Sequence, residues 1–205
     1  VARPALSDEQ VNDFRQRAAD VAMTLFVEQG YERFSLRALA REMGCSHATP
    51  YRYFRDKAEI FAVVRAEGFR QFGAFLEARL DGIPDPEQRL RTLAVAYCDF
   101  ATDHATAFSI IFATSTPTPA GHGFVQEAGF EAWSVLYRTV AEAILKGVIV
   151  GEPNTLAHLF WSGIHGVAML GATGNLNVGI DAATLTSAMA TTLLDAHRPT
   201  SGAFS

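Results

Sequence analysis

The sequence predicts an all-α protein in two parts: an N-terminal three-helix domain holding a helix-turn-helix, then a helical C-terminal domain. Three observations predict it. Apolar residues recur at spacings of three and four through most of the chain. Breaks rich in Gly, Pro, Asp and Asn separate these runs, and no run alternates as a strand would. Positive charge gathers in one short stretch of an otherwise acidic chain.

The chain has 205 residues, 49% hydrophobic and 19% charged, with net charge −5. That composition can bury a sizeable core. Residues 33–57 carry six Lys/Arg against two Asp/Glu, whereas residues 58–205 carry eight against fourteen. One basic segment on an acidic chain suggests nucleic-acid contact through that segment alone; a solvated surface helix is the plainer alternative. Cys45 and Cys98 have no metal-ligand spacing and form no disulfide framework, so both read as thiols of a reducing cytoplasm. No signal peptide pattern opens the chain, and residues 1–6 read as a loose arm.

The first helix is expected over residues 8–29, with Val11, Phe14, Ala18, Val21, Ala22, Leu25 and Phe26 on one face and Gly30 closing it. Ser35 can cap a second helix through Leu36, Leu39, Ala40 and Met43, which Gly44 ends. Cys45 is expected to point inward. Ser46 can cap a third helix whose first turn holds Pro50, with Tyr51 and Phe54 on one face. Asp56 precedes a long helix from Lys57 to about Leu80. A break at residues 81–86 follows. Asp85 then caps a helix to about Asp103, with Pro86 at its first position and Gln88 completing a capping box.

A short helix is expected over residues 105–113, a loop over 114–123 and a long helix over 124–150. Residues 153–180 carry no charged side chain, but glycines, asparagines and His158 and His165 interrupt them. A buried helix from Asn154 to about Leu170 fits better than a membrane span. Asp181 caps a last helix through Leu185, Met189, Leu193 and Leu194. The sum is about nine helices, with residues 199–205 as a disordered tail.

The two short helices joined at Gly44 outline a helix-turn-helix, whose second helix lies in the DNA major groove. The order S-L-R-x-L-A-R-E-M-G-C-S-x-x-x-x-Y-x-Y-F-x-D-K resembles the N-terminal domain of TetR-family transcriptional regulators. Ser35, Leu36, Ala40, Gly44, Ser46, Tyr51, Phe54 and Lys57 carry the match, which covers about residues 8–62. Pro50 departs from it, since many members have leucine there; proline keeps an apolar contact but can alter the start of the third helix. Trp161, His165 and Gly166 resemble the Trp/His/Gly signature of one subgroup of C-terminal domains.

The resemblance implies a cytoplasmic homodimeric repressor, divided into a DNA-binding domain at 1–57 and a regulatory domain at 58–198. It implies three partners: a palindromic double-stranded operator, a second copy of the chain and a small organic ligand. Ser46, His47 and Thr49 stand where base edges are read. Tyr51, Tyr53 and Lys57 suit phosphate, as do Ser35 and Arg37 at the preceding helix start. Arg52 suits either.

Phe69, Phe72, Tyr97, Phe100, Phe108, Phe112, Trp133, Tyr137 and His165 are candidates for an apolar ligand pocket. An aromatic stripe at helical spacing is equally the material of a core. Leu159, Ser162, Gly163, Gly166, Leu185, Met189 and Leu193 are candidates for a dimer interface on the last two helices. No cofactor, metal site, membrane partner or enzyme motif is expected; G-x-S-x-G, a phosphate-binding glycine loop and H-E-x-x-H are all missing from the sequence. The alternative is an all-helical small-molecule carrier or scaffold whose helix-turn-helix is only structural.

Overall fold

A computed structural model describes residues 7–112 and 123–199; the expected arm, most of the 114–123 loop and residues 200–205 lie outside them. The described residues form eight α-helices and one 3-10 turn, with no strand among them. The expectation of nine helices is corrected at the third position, where the 3-10 turn Pro50–Arg52 replaces an α-helix.

The chain divides into two compact units. The first comprises residues up to Phe69 together with Thr106–Gly129. It contains α1 (Asp8–Arg33), α2 (Leu36–Glu42), the 3-10 turn, and the first half of α3 (Lys57–Leu80). It also holds most of α5 (Ala105–Ile111) and the start of α6 (Gly123–Leu145). The second unit comprises Arg70–Ala105 and residues from Phe130 onward. It contains the second half of α3, α4 (Pro86–Asp103), most of α6, α7 (Pro153–Ala172) and α8 (Ala182–Ala196).

Local chemistry sets the helix ends. Ser7 accepts the Gln10 amide while the Gln10 side chain accepts the Ser7 amide, a reciprocal box at the start of α1. Gly30 interrupts α1 at φ 77°, and Phe34 then turns back to the Gly30 carbonyl. Asp56 accepts the Glu59 amide at the start of α3. Asp85 and Asp181 accept amides in α4 and α8 as expected. Gln88 does not complete a box; its side chain turns to Thr92, four residues on along α4. Helix α6 ends at Leu145 rather than near Val150, because Gly147 takes φ 71° and returns its amide to Ile144.

In the first unit, Phe26 stacks on Phe34 at 4.0 Å and meets Phe61 edge-on at 4.9 Å. Phe14, Ala18, Ala22, Leu36, Leu39, Phe54 and Ile60 complete that core. In the second unit, α4, α7 and α8 pack on one another through Leu90, Leu93, Tyr97, Phe160, Ile164 and Leu194. Gly163 permits the close approach of α7 to α8: a β-carbon there would stand 2.9 Å from Met189 Sδ. No helix among the described residues is long and apolar enough to cross a membrane.

Candidate nucleic-acid interface

The site is built on the end of α2. Gly44 takes φ 64°, its amide returns to Arg41 and the Cys45 amide returns to Ala40. These two bonds reverse the chain and close the helix, and only glycine adopts that φ without strain. Cys45 is half-buried here, not the inward plug expected.

Residues 46–54 then form a tight run of turns. The Thr49 amide donates to the Ser46 carbonyl at 2.9 Å, and the Arg52 amide to the Thr49 carbonyl at 3.1 Å. Pro50 has no amide to donate to the Ser46 carbonyl and stands first in the 3-10 turn, and its own carbonyl takes the Tyr53 and Phe54 amides at 3.0 and 2.9 Å. Ser46 does not cap a backbone amide as expected; its hydroxyl meets the Thr49 hydroxyl at 2.7 Å.

One side of this segment is fastened to α1. Pro50 and Phe54 are buried, and Tyr53 stacks on Phe14 at 3.9 Å. Arg15 donates to the Tyr53 carbonyl at 2.8 Å and to Glu59 at 3.2 Å, with its guanidinium 4.9 Å from the Phe54 ring centre. Burial pushes the Glu59 carboxyl up, but hydrogen bonds from Arg55 and Arg15 outweigh it and hold Glu59 below the usual carboxylate range. Arg15 was not among the expected site residues. Its signal was a cation four residues after Val11 and three before Ala18, on the apolar stripe of α1.

The other side is open. Ser46, His47, Tyr51 and Arg52 are exposed, and Thr49 is half-buried. Arg37 is exposed on α2, while Ser35 accepts the Ala38 amide as the α2 cap. Lys57 is half-buried; it donates to the Tyr31 and Glu32 carbonyls at 2.9 and 3.3 Å and lies 4.2 Å from the Tyr31 ring centre. Tyr53 therefore holds the segment, and Lys57 the start of α3, to α1 whatever else they contact.

The nine expected pocket residues fall into both compact units. Phe69, Phe108 and Phe112 cluster in the first. In the second, Phe72 packs on Tyr97 and Phe100, both at 4.9 Å. Tyr97 is buried, accepts the Trp161 indole N–H at 3.2 Å and lies 2.9 Å from His165 Nδ1. Burial raises the Tyr97 hydroxyl and lowers the His165 imidazole, so both stay neutral near pH 7. Trp133 packs on His158 and Trp161, and Tyr137 is exposed on α6. A groove of about 250 Å³ in the second unit is lined by Cys98, Asp99, Val167, Ala182 and Thr186 among others, and by none of the nine.

Among the expected dimer residues, Leu159, Ser162 and Gly166 are exposed on α7. Gly163 is half-buried against Met189, and Leu185, Met189 and Leu193 are half-buried on α8. No group of three or more potential metal ligands occurs among the described residues.

Comparison with known proteins gives two family matches. Residues 19–64 match the model for bacterial regulatory proteins, tetR family, and residues 90–193 match that for the tetracyclin repressor-like C-terminal domain. An HTH-type transcriptional regulator of Staphylococcus aureus is 39% identical over 54 residues. That stretch is 26% of this chain and spans 29% of the relative's length. A protein of unknown function from Rhodococcus sp. RHA1 is 29% identical with TM-score 0.79, over 90% of this chain and 95% of its own. The fatty acid degradation regulator FadR from Bacillus halodurans shares the fold at 16% identity and TM-score 0.71, over 93% of this chain and 97% of its own.

Proposed function

Since this chain belongs to the tetR family of bacterial regulatory proteins, we propose that it is a sequence-specific DNA-binding transcriptional repressor and not an enzyme. It works in the cytoplasm as a homodimer on a palindromic operator. The observation that carries this reading is the 46–54 segment: one side fastened to α1 through Arg15, Tyr53 and Phe54, the other presenting His47, Tyr51 and Arg52. A rigid, basic, exposed turn after a helix end is suited to enter the major groove.

Residues 1–57 read DNA, with Ser35, Arg37, Ser46, His47, Thr49, Tyr51, Arg52, Tyr53 and Lys57 at the contact. Residues 58–198 regulate and pair. Leu159, Ser162 and Gly166 of α7, with Leu185, Met189 and Leu193 of α8, face a second copy, and the exposure of Leu159 supports that use. A small, largely apolar ligand enters among the aromatic side chains, shifts α3 and changes the separation of the two DNA-reading heads. The joining of Trp161 and His165 through Tyr97 supports a place in the Trp/His/Gly subgroup.

Selection of bound sequences from random duplex DNA tests the reading. An enriched palindrome bound by two chains per duplex is expected. Binding without preference that vanishes as salt rises would favour the carrier or scaffold instead.

A further inference from the structure

We infer that base reading in the 46–54 segment falls to His47 and Arg52, resting on the DNA-binding reading above, while the Ser46–Thr49 hydroxyl pair holds the segment's shape. In an α-helix the amide of residue 50 would donate to the carbonyl of residue 46. Pro50 removes that donor. The Ser46 carbonyl takes the Thr49 amide instead, at 2.9 Å, and the two hydroxyls close on each other at 2.7 Å. That is the ordinary length of a good O–H···O bond. One of the two hydroxyl protons is committed between them, and Thr49 is half-buried. A base reaching this pair would have to compete with a bond already made.

His47 and Arg52 stand differently. Both are exposed, and Arg52 ends the 3-10 turn whose first residue, Pro50, is buried. A guanidinium can offer two N–H groups to O6 and N7 of guanine, and an imidazole N–H can donate to a purine N7. Bidentate donation by Arg52 to O6 and N7 selects guanine, so each half-site is expected to contain a G·C pair read by Arg52, whereas donation by His47 to N7 favours a purine. Ser46 and Thr49 are positioning residues.

The test is selection from random duplex DNA with the unmodified full chain and with Ser46→Ala, Thr49→Ala, Thr49→Ser, His47→Ala and Arg52→Ala, followed by affinities on the recovered sequence. Ser46→Ala and Thr49→Ala should recover the same sequence with weaker binding to every duplex. Thr49→Ser should restore binding, because it keeps the hydroxyl. Arg52→Ala should relax the preference at a G·C pair by about tenfold or more, and His47→Ala should relax the preference for a purine at its own position. Should Thr49→Ala fail to fold by circular dichroism, the exposed Ser46→Ala carries the comparison. A base preference lost in Ser46→Ala or Thr49→Ala but kept in His47→Ala and Arg52→Ala overturns the assignment alone. No enrichment by the unmodified chain overturns the DNA reading and this assignment together.

Discussion

The Tyr97 hydroxyl lies 2.9 Å from Nδ1 of His165 while it accepts the Trp161 indole N–H at 3.2 Å. An indole can only donate, so the Tyr97 hydroxyl accepts from Trp161, and the direction of its bond to His165 follows the imidazole tautomer. Tyr97→Phe removes one acceptor and one donor from a buried site. It should destabilise the protein by about 1–3 kcal/mol and lower Tm by several degrees in thermal unfolding.

The same site predicts a pH dependence. Burial lowers the folded pKa of His165 below its ordinary value of about 6.5. Below that value the unfolded chain binds a proton that the folded chain refuses, so stability falls as pH drops from about 6.5 toward the folded pKa. His165→Gln should flatten this part of a Tm–pH profile. Glu59, whose folded pKa is lowered, acts in a separate window: its contribution is present above the ordinary carboxylate range and is lost as pH falls through the folded value.

Gly44 has φ 64° and nothing within 4 Å of where a β-carbon would sit. The cost of a side chain there is therefore backbone strain alone. Gly44→Ala should lose about 1–2 kcal/mol in denaturant unfolding, and Gly44→Asn less, because asparagine tolerates this region.

Arg15→Ala removes the bonds to the Tyr53 carbonyl and Glu59. It should cost about 1–3 kcal/mol of stability. It should also weaken DNA binding without changing the preferred sequence, as affinity measurements on matched and mismatched duplexes would register.

The capped starts of α3, α4 and α8 were legible in the sequence because Asp56, Asp85 and Asp181 act within three residues of themselves. The left-handed turn at Gly44 was legible for the same reason. Pro50 was visible as a departure able to alter the start of the third helix, and a 3-10 turn, Pro50–Arg52, stands there in place of an α-helix. Arg15 and Tyr53 are 38 residues apart, and Tyr97 and His165 are 68 apart. No periodicity reports such pairs, since each is decided by how helices pack. The aromatic stripe was legible as apolar, but spacing along a helix could not divide Phe69, Phe108 and Phe112 in one compact unit from Phe72, Tyr97 and Phe100 in the other. Gln88 met the capping-box pattern, yet its side chain bonds to Thr92 instead.

The most direct test of sequence-specific DNA binding is the ratio of affinities for the selected palindrome and for a scrambled duplex of equal length, measured at physiological salt. A ratio of roughly a thousand or more is expected, which Arg52→Ala lowers by about tenfold or more. A ratio near one, with all binding lost as salt rises, would contradict it.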